Sequence, residues 1–154
     1  MIRLLTPDEA SAHRYELCEL FFECKAAGSL TPPDIDFCRK KVDEMIDYLS
    51  HSKAYCFAYC ENNELLGFAW TCKLYDGEKM LMHILYSAVS KNHRGKGIGS
   101  LLLSKCDETA KSENLSICEL NVSKINPLAA KLYMKLGYKI HRDHEDHITL
   151  RKEL

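Results

Sequence analysis

The most informative part of the chain is residues 80–99, MLMHILYSAVSKNHRGKGIG. Its first ten residues, Met80–Val89, are apolar nearly throughout, which is typical of a central strand covered on both faces. Gly95, Gly97 and Gly99 follow at every second position, and a stripe of helical period begins directly behind them. Backbone N–H groups and the helix dipole both favour an anion at such a turn. The sequence therefore predicts a phosphate site between this strand and this helix.

The charge pattern supports the same interpretation. The 154 residues carry a formal net charge of −1, so an anion has to be held by a local cluster. Four basic residues stand within six positions of the turn: Lys91, His93, Arg94 and Lys96. A Walker loop would need GxxxxGK[ST], which is absent, and a dinucleotide fingerprint would need GxGxxG after the first strand of the sheet.

Hydrophobic periodicity and turn signals on both sides predict the element order β-α-α-β-β-β-α-β-α-β-β. The predicted strands are Ile2–Leu5, Tyr55–Cys60, Leu65–Tyr75, Met80–Val89, Ser116–Val122, Tyr138–His141 and His147–Leu150. The predicted helices follow Thr6 (running to Gly28), Asp34, Gly97 (running to about Lys111) and Asn126. We expect one mixed α/β domain over residues 1–154, because the length fits a single domain and no linker interrupts it.

Composition restricts the class of protein further. Apolar residues make up 46% and charged residues 28%, as in soluble globular domains. No apolar run approaches the ~18 residues of a membrane span, and the start MIRLLTPDEA lacks the apolar region of a signal peptide. We therefore expect a cytoplasmic protein without a membrane or nucleic-acid partner. The eight cysteines form no CxxC pair, which favours small buried residues over disulfides or metal ligands.

Arg94-Gly95-Lys96-Gly97-Ile98-Gly99 resembles the [Q/R]-x-x-G-x-[G/A] signature of the GNAT superfamily of N-acetyltransferases. The resemblance extends over nearly the whole chain. It includes the strand ending at Ala88-Val89, the strand around Leu120–Val122, and the segment from Asn126-Pro127 through Tyr133 to Gly137-Tyr138. It implies a mostly antiparallel sheet of about seven strands, splayed between strands 4 and 5, with helices on both faces.

The resemblance also implies acetyl-CoA as the acyl donor. Its pantetheine would pair with Ser87, Ala88 and Val89, and Asn126 would contact the cofactor arm. The pyrophosphate would be held by Arg94, Gly95, Lys96, Gly97, Ile98 and Gly99. Where many members have proline two residues after the valine, this chain has Lys91, which changes loop rigidity and leaves the backbone cradle intact.

The implied reaction is direct transfer of the acetyl group to an amine. Tyr133 would protonate the departing thiolate, and the amide of Val89 would stabilise the oxyanion. A primary amine has a pKa near ~10.4 and must lose a proton before attack. Some members carry a glutamate for this purpose six residues before the valine; His83 stands there, and a histidine accepts a proton near neutral pH. A water chain to bulk solvent is the alternative to His83.

Other interpretations stay open at this level. A non-catalytic acyl-CoA-binding module of the same fold, or an ATP-binding protein, would also use the glycine turn. Phe21, Phe22 and the Gly28–Asp34 loop are candidates for an acceptor pocket, and a place in the helix core is the alternative for the two phenylalanines. The spacing of His141, His144 and His147 would suit zinc, but we expect their side chains to diverge, so no metal site is predicted. The acceptor amine is unidentified, and a homodimer is an expectation from the family only.

Overall fold

The computed structural model describes residues 1–51 and 54–154, which form one seven-stranded sheet with helices on both faces. The strands are β1 Ile2–Leu4, β2 Ala54–Glu61, β3 Glu64–Tyr75, β4 Met80–Val89, β5 Ile117–Ser123, β6 Lys139–Asp143 and β7 His147–Glu153. The helices are α1 Pro7–Ala12, α2 Arg14–Gly28, α3 Ile35–Ser50, α4 Ile98–Ser112 and α5 Pro127–Lys135.

The sheet has the strand order β1-β2-β3-β4-β5-β7-β6. Every neighbouring pair is antiparallel except β4 and β5, which are parallel. Helix α4 makes the crossover that a parallel pair requires. The predicted mixed, mostly antiparallel sheet is confirmed.

Two hydrophobic cores lie on opposite faces of the sheet. Phe21 of α2 and Val42 of α3 belong to the first core, with Trp70 on β3. Leu102 of α4 and Leu120 of β5 belong to the second, against which α5 also packs. Because side chains alternate along a strand, residues next to second-core members on β5 and β7 point to the first face. Apart from Ile117 at the start of β5, these residues are polar, among them Glu119, Asn121, Thr149 and Arg151.

Local sequence signals correctly predicted where the first and third helices begin. The Thr6 hydroxyl accepts from the Glu9 amide at 3.1 Å, and the Glu9 carboxylate accepts from the Thr6 amide at 2.8 Å. Asp34 caps α3 by accepting from the amide of Phe37 at 2.7 Å. These are the capping contacts that the sequence predicts.

The single helix predicted from Thr6 to Gly28 is instead two helices that meet at His13. The backbone there has ψ near +21°, and the ring Nδ1 lies 2.7 Å from the Glu16 carboxylate. Glu16 also accepts the amide of Leu65 at the start of β3, at 3.0 Å. This tertiary contact fixes the start of α2. Helical periodicity could not predict it, because Leu65 lies far from Glu16 in the sequence.

The buried face of α4 differs from the predicted stripe. Helical spacing predicts one buried face formed by Ile98, Leu101, Leu102, Lys105, Cys106 and Ala110. Of these, Ile98, Leu102, Cys106 and Ala110 are buried as expected. Leu101 and Lys105, which we expected on that face, are exposed, and Leu103 is buried instead. Leu103 packs in the second core together with Leu102 and Cys106, a tertiary contact that the sequence of one helix does not reveal.

All eight cysteines are free, as predicted. Six are buried, and Cys24 and Cys72 are half-buried. Burial raises the pKa of the Cys24 thiol to about 12, so this group stays protonated at neutral pH.

No helix within the described part of the chain combines the length and the apolar character needed to cross a membrane.

The turn between β3 and β4 is tied to the far side of the sheet by Asp76. Its Oδ1 accepts the amides of Glu78 and Lys79 at 2.9 and 3.0 Å, and its Oδ2 lies 3.0 Å from Nη2 of Arg151 on β7. These backbone amides, and after them the guanidinium, lower the pKa of Asp76 from 3.8 to about 2.

Asp76→Asn will destabilise the fold in a pH-dependent way. A carboxyl with a lowered folded-state pKa contributes stability above its unfolded value of 3.8, and loses it as the pH falls toward about 2. Urea midpoints of the two proteins should therefore differ fully at pH 5–7 and converge below pH 4. A difference that does not vary with pH would contradict the role given to the charge.

Candidate active site

The two parallel strands of the sheet diverge. β4 and β5 pair only over Met82–Ile84 and Cys118–Leu120. Beyond Ile84, β4 stays paired with β3 as far as Val89. A wedge-shaped gap therefore opens between β4 and β5 toward their carboxyl ends, at the position predicted from the sequence.

Backbone groups of β4 line one side of this gap. The Ser90 amide donates to β3 at 2.7 Å, so the alternate residues Val89 and Ser87 direct their backbone groups away from β3. Two side chains reach them there: Arg94 Nε donates to the Val89 carbonyl at 3.0 Å, and Cys24 Sγ to the Ser87 carbonyl at 3.7 Å. The amides of Ser87 and Val89 remain directed at the gap. The backbone groups of Ala88, between these two residues, point toward β3 instead.

The glycine turn stands at the wide end of the gap. After the short 3-10 turn Lys91–His93, Gly95 and Gly97 adopt the left-handed region with φ of +76° and +82°. A Cβ added to either glycine would meet no atom within 4 Å, so the space in front of the turn is open. Gly97 is the N-cap of α4 and offers no side-chain acceptor, which leaves the first amides of the helix available. Ile98 anchors this turn in the second core.

The basic side chains of the turn are exposed, except His93, which is half-buried. Arg94 Nη2 lies 3.2 Å from the carboxylate of Glu23, with the two side chains 52% and 31% exposed. Exposed pairs of this kind contribute roughly 0–1 kcal/mol, little enough for a phosphate to replace the carboxylate. Lys96 is exposed beside them. The sequence did not predict Glu23 as a partner of Arg94.

Helix α5 supplies two of the predicted residues. Asn126 caps the helix through Oδ1, which accepts the Ala129 amide at 3.4 Å. Tyr133 lies two turns further on and packs against the second core. Burial, with a smaller effect of the Cys24 thiol, raises the pKa of Tyr133 to about 12. Its hydroxyl is therefore protonated at neutral pH.

His83 is part of a chain of ionisable groups. Its Nδ1 lies 2.8 Å from Oε1 of Glu119, whose Oε2 accepts from Arg151 Nε at 2.7 Å. Arg151 in turn reaches Asp76 at 3.0 Å. A carboxylate only accepts hydrogen bonds, so Nδ1 carries the proton and Nε2 of the neutral ring is left as an acceptor. Sequence reasoning missed this chain, although Glu119 interrupts the apolar residues Ile117, Cys118 and Leu120 of β5.

Two cavities lie on the face of the sheet that carries His83. The first has a volume of about 610 Å³ and includes His83 in its wall, and the second has about 540 Å³. Asn121 and His147 line both. The predicted Gly28–Asp34 loop contributes residues 28–31 to the second cavity.

The two phenylalanines suggested for an acceptor pocket lie elsewhere. Phe21 is fully buried, with its ring 5.0 Å from that of Phe68 and 5.1 Å from that of Tyr86. It is a core residue, which decides between the two interpretations of Phe21 in favour of the helix core. Phe22 is 42% exposed and lines neither cavity.

The three histidines near the carboxyl end do not all diverge. The His144 and His147 rings stack 4.2 Å apart at 14°. The reason is a tight turn, closed by a 3.0 Å bond from the His144 amide to the His147 carbonyl, which brings the two side chains to one side. In residues 1–51 and 54–154 no group of three or more His, Cys, Asp or Glu side chains is arranged to hold a metal ion.

Comparison with solved structures shows the same fold in several acetyltransferases. A PaiA N-acetyltransferase from Thermoplasma acidophilum, in complex with coenzyme A, superposes with a TM-score of 0.81 over 100% of this chain and 99% of that one, at 16% identity. A ribosomal-protein-alanine N-acetyltransferase from Brucella melitensis gives 0.72 over 100% and 99%, also at 16%. An aminoglycoside acetyltransferase from an uncultured soil sample, in complex with sisomicin, gives 0.69 over 94% and 90%, at 19%.

Among curated proteins, a mycothiol acetyltransferase from Tsukamurella paurometabola is 35% identical over 83 residues. The match covers 54% of this chain and 28% of that protein, so the chain spans little more than a quarter of its relative's length. The model of the acetyltransferase (GNAT) family matches residues 14–138, which include the glycine turn, the splayed strands and Tyr133. The chain therefore belongs to the GNAT family of acetyltransferases.

Proposed function

We propose that this protein transfers the acetyl group of acetyl-CoA directly to the nitrogen of a primary amine. Family membership confirms acetyl-CoA as the cosubstrate predicted from the sequence. The observation that carries the proposal is the open edge of β4, where Ser87 and Val89 direct backbone amides into a gap that ends at the glycine turn. An acyl donor that pairs with this edge brings its thioester between His83 and Tyr133.

The donor is bound in two parts. Pantetheine pairs with the free backbone groups of Ser87 and Val89, as an added strand would. The pyrophosphate lies against the amides of residues 95–99, with Arg94 and Lys96 adding positive charge. Asn126 uses Oδ1 to cap its helix, which leaves its amide nitrogen as a donor toward the cofactor arm.

His83 acts as the general base. The amine nitrogen attacks the thioester carbonyl carbon, and its proton passes to Nε2 of His83, directly or through water. Glu119 holds Nδ1–H and stabilises the charge that His83 gains, and Arg151 keeps the Glu119 carboxylate in place. The amide of Val89 donates to the carbonyl oxygen as negative charge develops there.

Tyr133 stabilises the leaving group. The C–S bond breaks as the C–N bond forms, and the sulfur of coenzyme A departs as a thiolate. A thiol has a reference pKa of about 8.5, well below the value of about 12 for Tyr133. Full proton transfer to the thiolate is therefore uphill, and Tyr133 acts as a hydrogen-bond donor to the sulfur, with solvent supplying the final proton.

Gly97→Asp will abolish acetyl-CoA binding, because it puts a carboxylate in the phosphate site. Aspartate tolerates the left-handed backbone better than most residues, so the fold should survive. At 100 times the dissociation constant, acetyl-CoA should stabilise the unmodified protein by about 2.7 kcal/mol, a rise in Tm of roughly 5–10 °C. The variant should show no rise in the same thermal-shift experiment.

Gly77→Asp is the matched control, since Gly77 also has positive φ (+102°) and open space at its Cβ, in the β3–β4 turn. It should keep the full shift with acetyl-CoA. An equal shift with ATP, or a normal acetyl-CoA shift in Gly97→Asp, would overturn the assignment of this turn. Binding without transfer to any primary amine would favour a non-catalytic acyl-CoA-binding module instead.

Tyr133→Phe will lower kcat by roughly 10²-fold, the usual cost of removing one donor to a developing anion, with little change in the affinity for acetyl-CoA. Because the pKa of Tyr133 is about 12, the unmodified enzyme should show no loss of activity through tyrosine ionisation up to pH 10. Tyr138→Phe is the control: its ring lies 6.0 Å from that of Tyr133, and its buried hydroxyl has no hydrogen-bond partner within residues 1–51 and 54–154. A loss of acetyl-CoA affinity equal to the loss in kcat would make Tyr133 a binding residue.

His83→Gln will remove the acid limb of the pH–rate profile. A base works only when unprotonated, so kcat/KM of the unmodified enzyme should fall as the pH is lowered. The variant should have a lower and flatter profile, while His51→Gln, at the exposed end of α3, should leave the profile unchanged. If His83→Gln keeps the original acid limb, a water chain rather than His83 removes the proton.

A further inference from the structure

The first cavity lies over the half of the sheet formed by β5, β7 and β6, on the face where α2 and α3 pack mainly against β2–β4. Its volume of about 610 Å³ is within the range of small-molecule sites. His83, the base of the proposed reaction, lies in its wall, so an amine that enters this cavity approaches Nε2. Of the side chains that line it, Leu74 is the one that is apolar.

The charges around this cavity largely neutralise one another. Asp76 and Glu119 share the guanidinium of Arg151, and Glu119 also holds His83. At the exposed rim, Glu78 and Arg142 supply one charge of each sign. The carboxylates near the base are therefore already paired, and a second ammonium group on the acceptor would find little to attract it.

Neutral hydrogen-bonding groups form the rest of the wall. The Thr149 hydroxyl donates to Asn121 Oδ1 at 2.7 Å, so His144 Nε2, 3.0 Å from the same hydroxyl, must donate to it. This chain leaves the Asn121 amide nitrogen as a donor and Nδ1 of a neutral His144 as an acceptor. Neither atom has a hydrogen-bond partner among the described residues. This donor and this acceptor could both form hydrogen bonds with the hydroxyl groups of a ligand.

We propose that this cavity binds the acceptor, and that the acceptor is a polyhydroxylated primary amine of the amino-sugar type. The assignment rests on the proposed amine acetyltransferase function and goes beyond it. An apolar amine would leave the polar wall unsatisfied, which costs binding free energy for each unpaired group. A diamine or polyamine would bring a second charge to a wall whose carboxylates are already neutralised.

The test is calorimetric titration of the protein saturated with coenzyme A, using three probes. Glucosamine carries hydroxyls around a six-membered ring, cyclohexylamine has such a ring without hydroxyls, and putrescine is a diamine. Glucosamine should bind at least about tenfold more tightly than either of the others, as two or more net hydrogen bonds predict.

Two variants locate the site. Asn121→Leu removes the free amide donor, and Thr149→Val removes the hydroxyl that orients it, with almost no change in volume. Each should weaken glucosamine binding by roughly fivefold or more, the effect of one net hydrogen bond, with unchanged affinity for coenzyme A. Thr109→Val, on the exposed side of α4, is the matched control and should bind glucosamine normally.

Equal or tighter binding of cyclohexylamine or putrescine would overturn the substrate class. Unchanged glucosamine binding in Asn121→Leu would overturn the location. Because binding is measured without turnover, the result is separate from the proposed reaction: glucosamine that binds as expected but receives no acetyl group would contradict the catalytic function and support the cavity assignment.

Discussion

The divergence of β4 from β5 after Ile84 is the constraint on which the rest of the site depends. Strands that separate leave backbone groups without partners, and such groups are costly unless something else satisfies them. Here Cys24 and Arg94 reach the carbonyls of Ser87 and Val89 from neighbouring elements. The amides of Ser87 and Val89 stay available. An extended ligand can therefore hydrogen-bond to this edge of β4 as an additional strand would.

The same divergence brings the two ends of the proposed chemistry together. The glycine turn continues directly from β4, so a ligand paired with the strand meets the amides at the start of α4. Where β4 and β5 are still paired, His83 and Glu119 are opposite one another on the two parallel strands. Arg151 and Asp76 then extend this contact across β7 to the β3–β4 turn. The position of the proposed base thus depends on four segments: β4, the turn that precedes it, β5 and β7.

Local sequence signals were reliable where the responsible interaction is itself local. The capping contacts of Thr6, Asp34 and Asn126 link each residue to an amide three positions away, so a short window of sequence contains both partners. Helical periodicity failed where another element intervened. It missed the break at His13, which involves Leu65, and it placed Leu101 rather than Leu103 in the core. The stacking of His144 on His147 likewise follows from the turn and not from their spacing.

The sequence by itself determined the family and the strand–turn–helix unit at residues 80–99, which we propose as the acetyl-CoA site, because these depend on contiguous backbone geometry and on glycines that must adopt positive φ. Only the tertiary structure decided which groups surround His83, which carboxylates are neutralised, and which face of the sheet is left open beside the base. Those features arise from alternate side chains of β5 and β7, which point to one face of the sheet. There they contact side chains of β4 and of the turn that precedes β4. No single segment contains both members of any of these contacts.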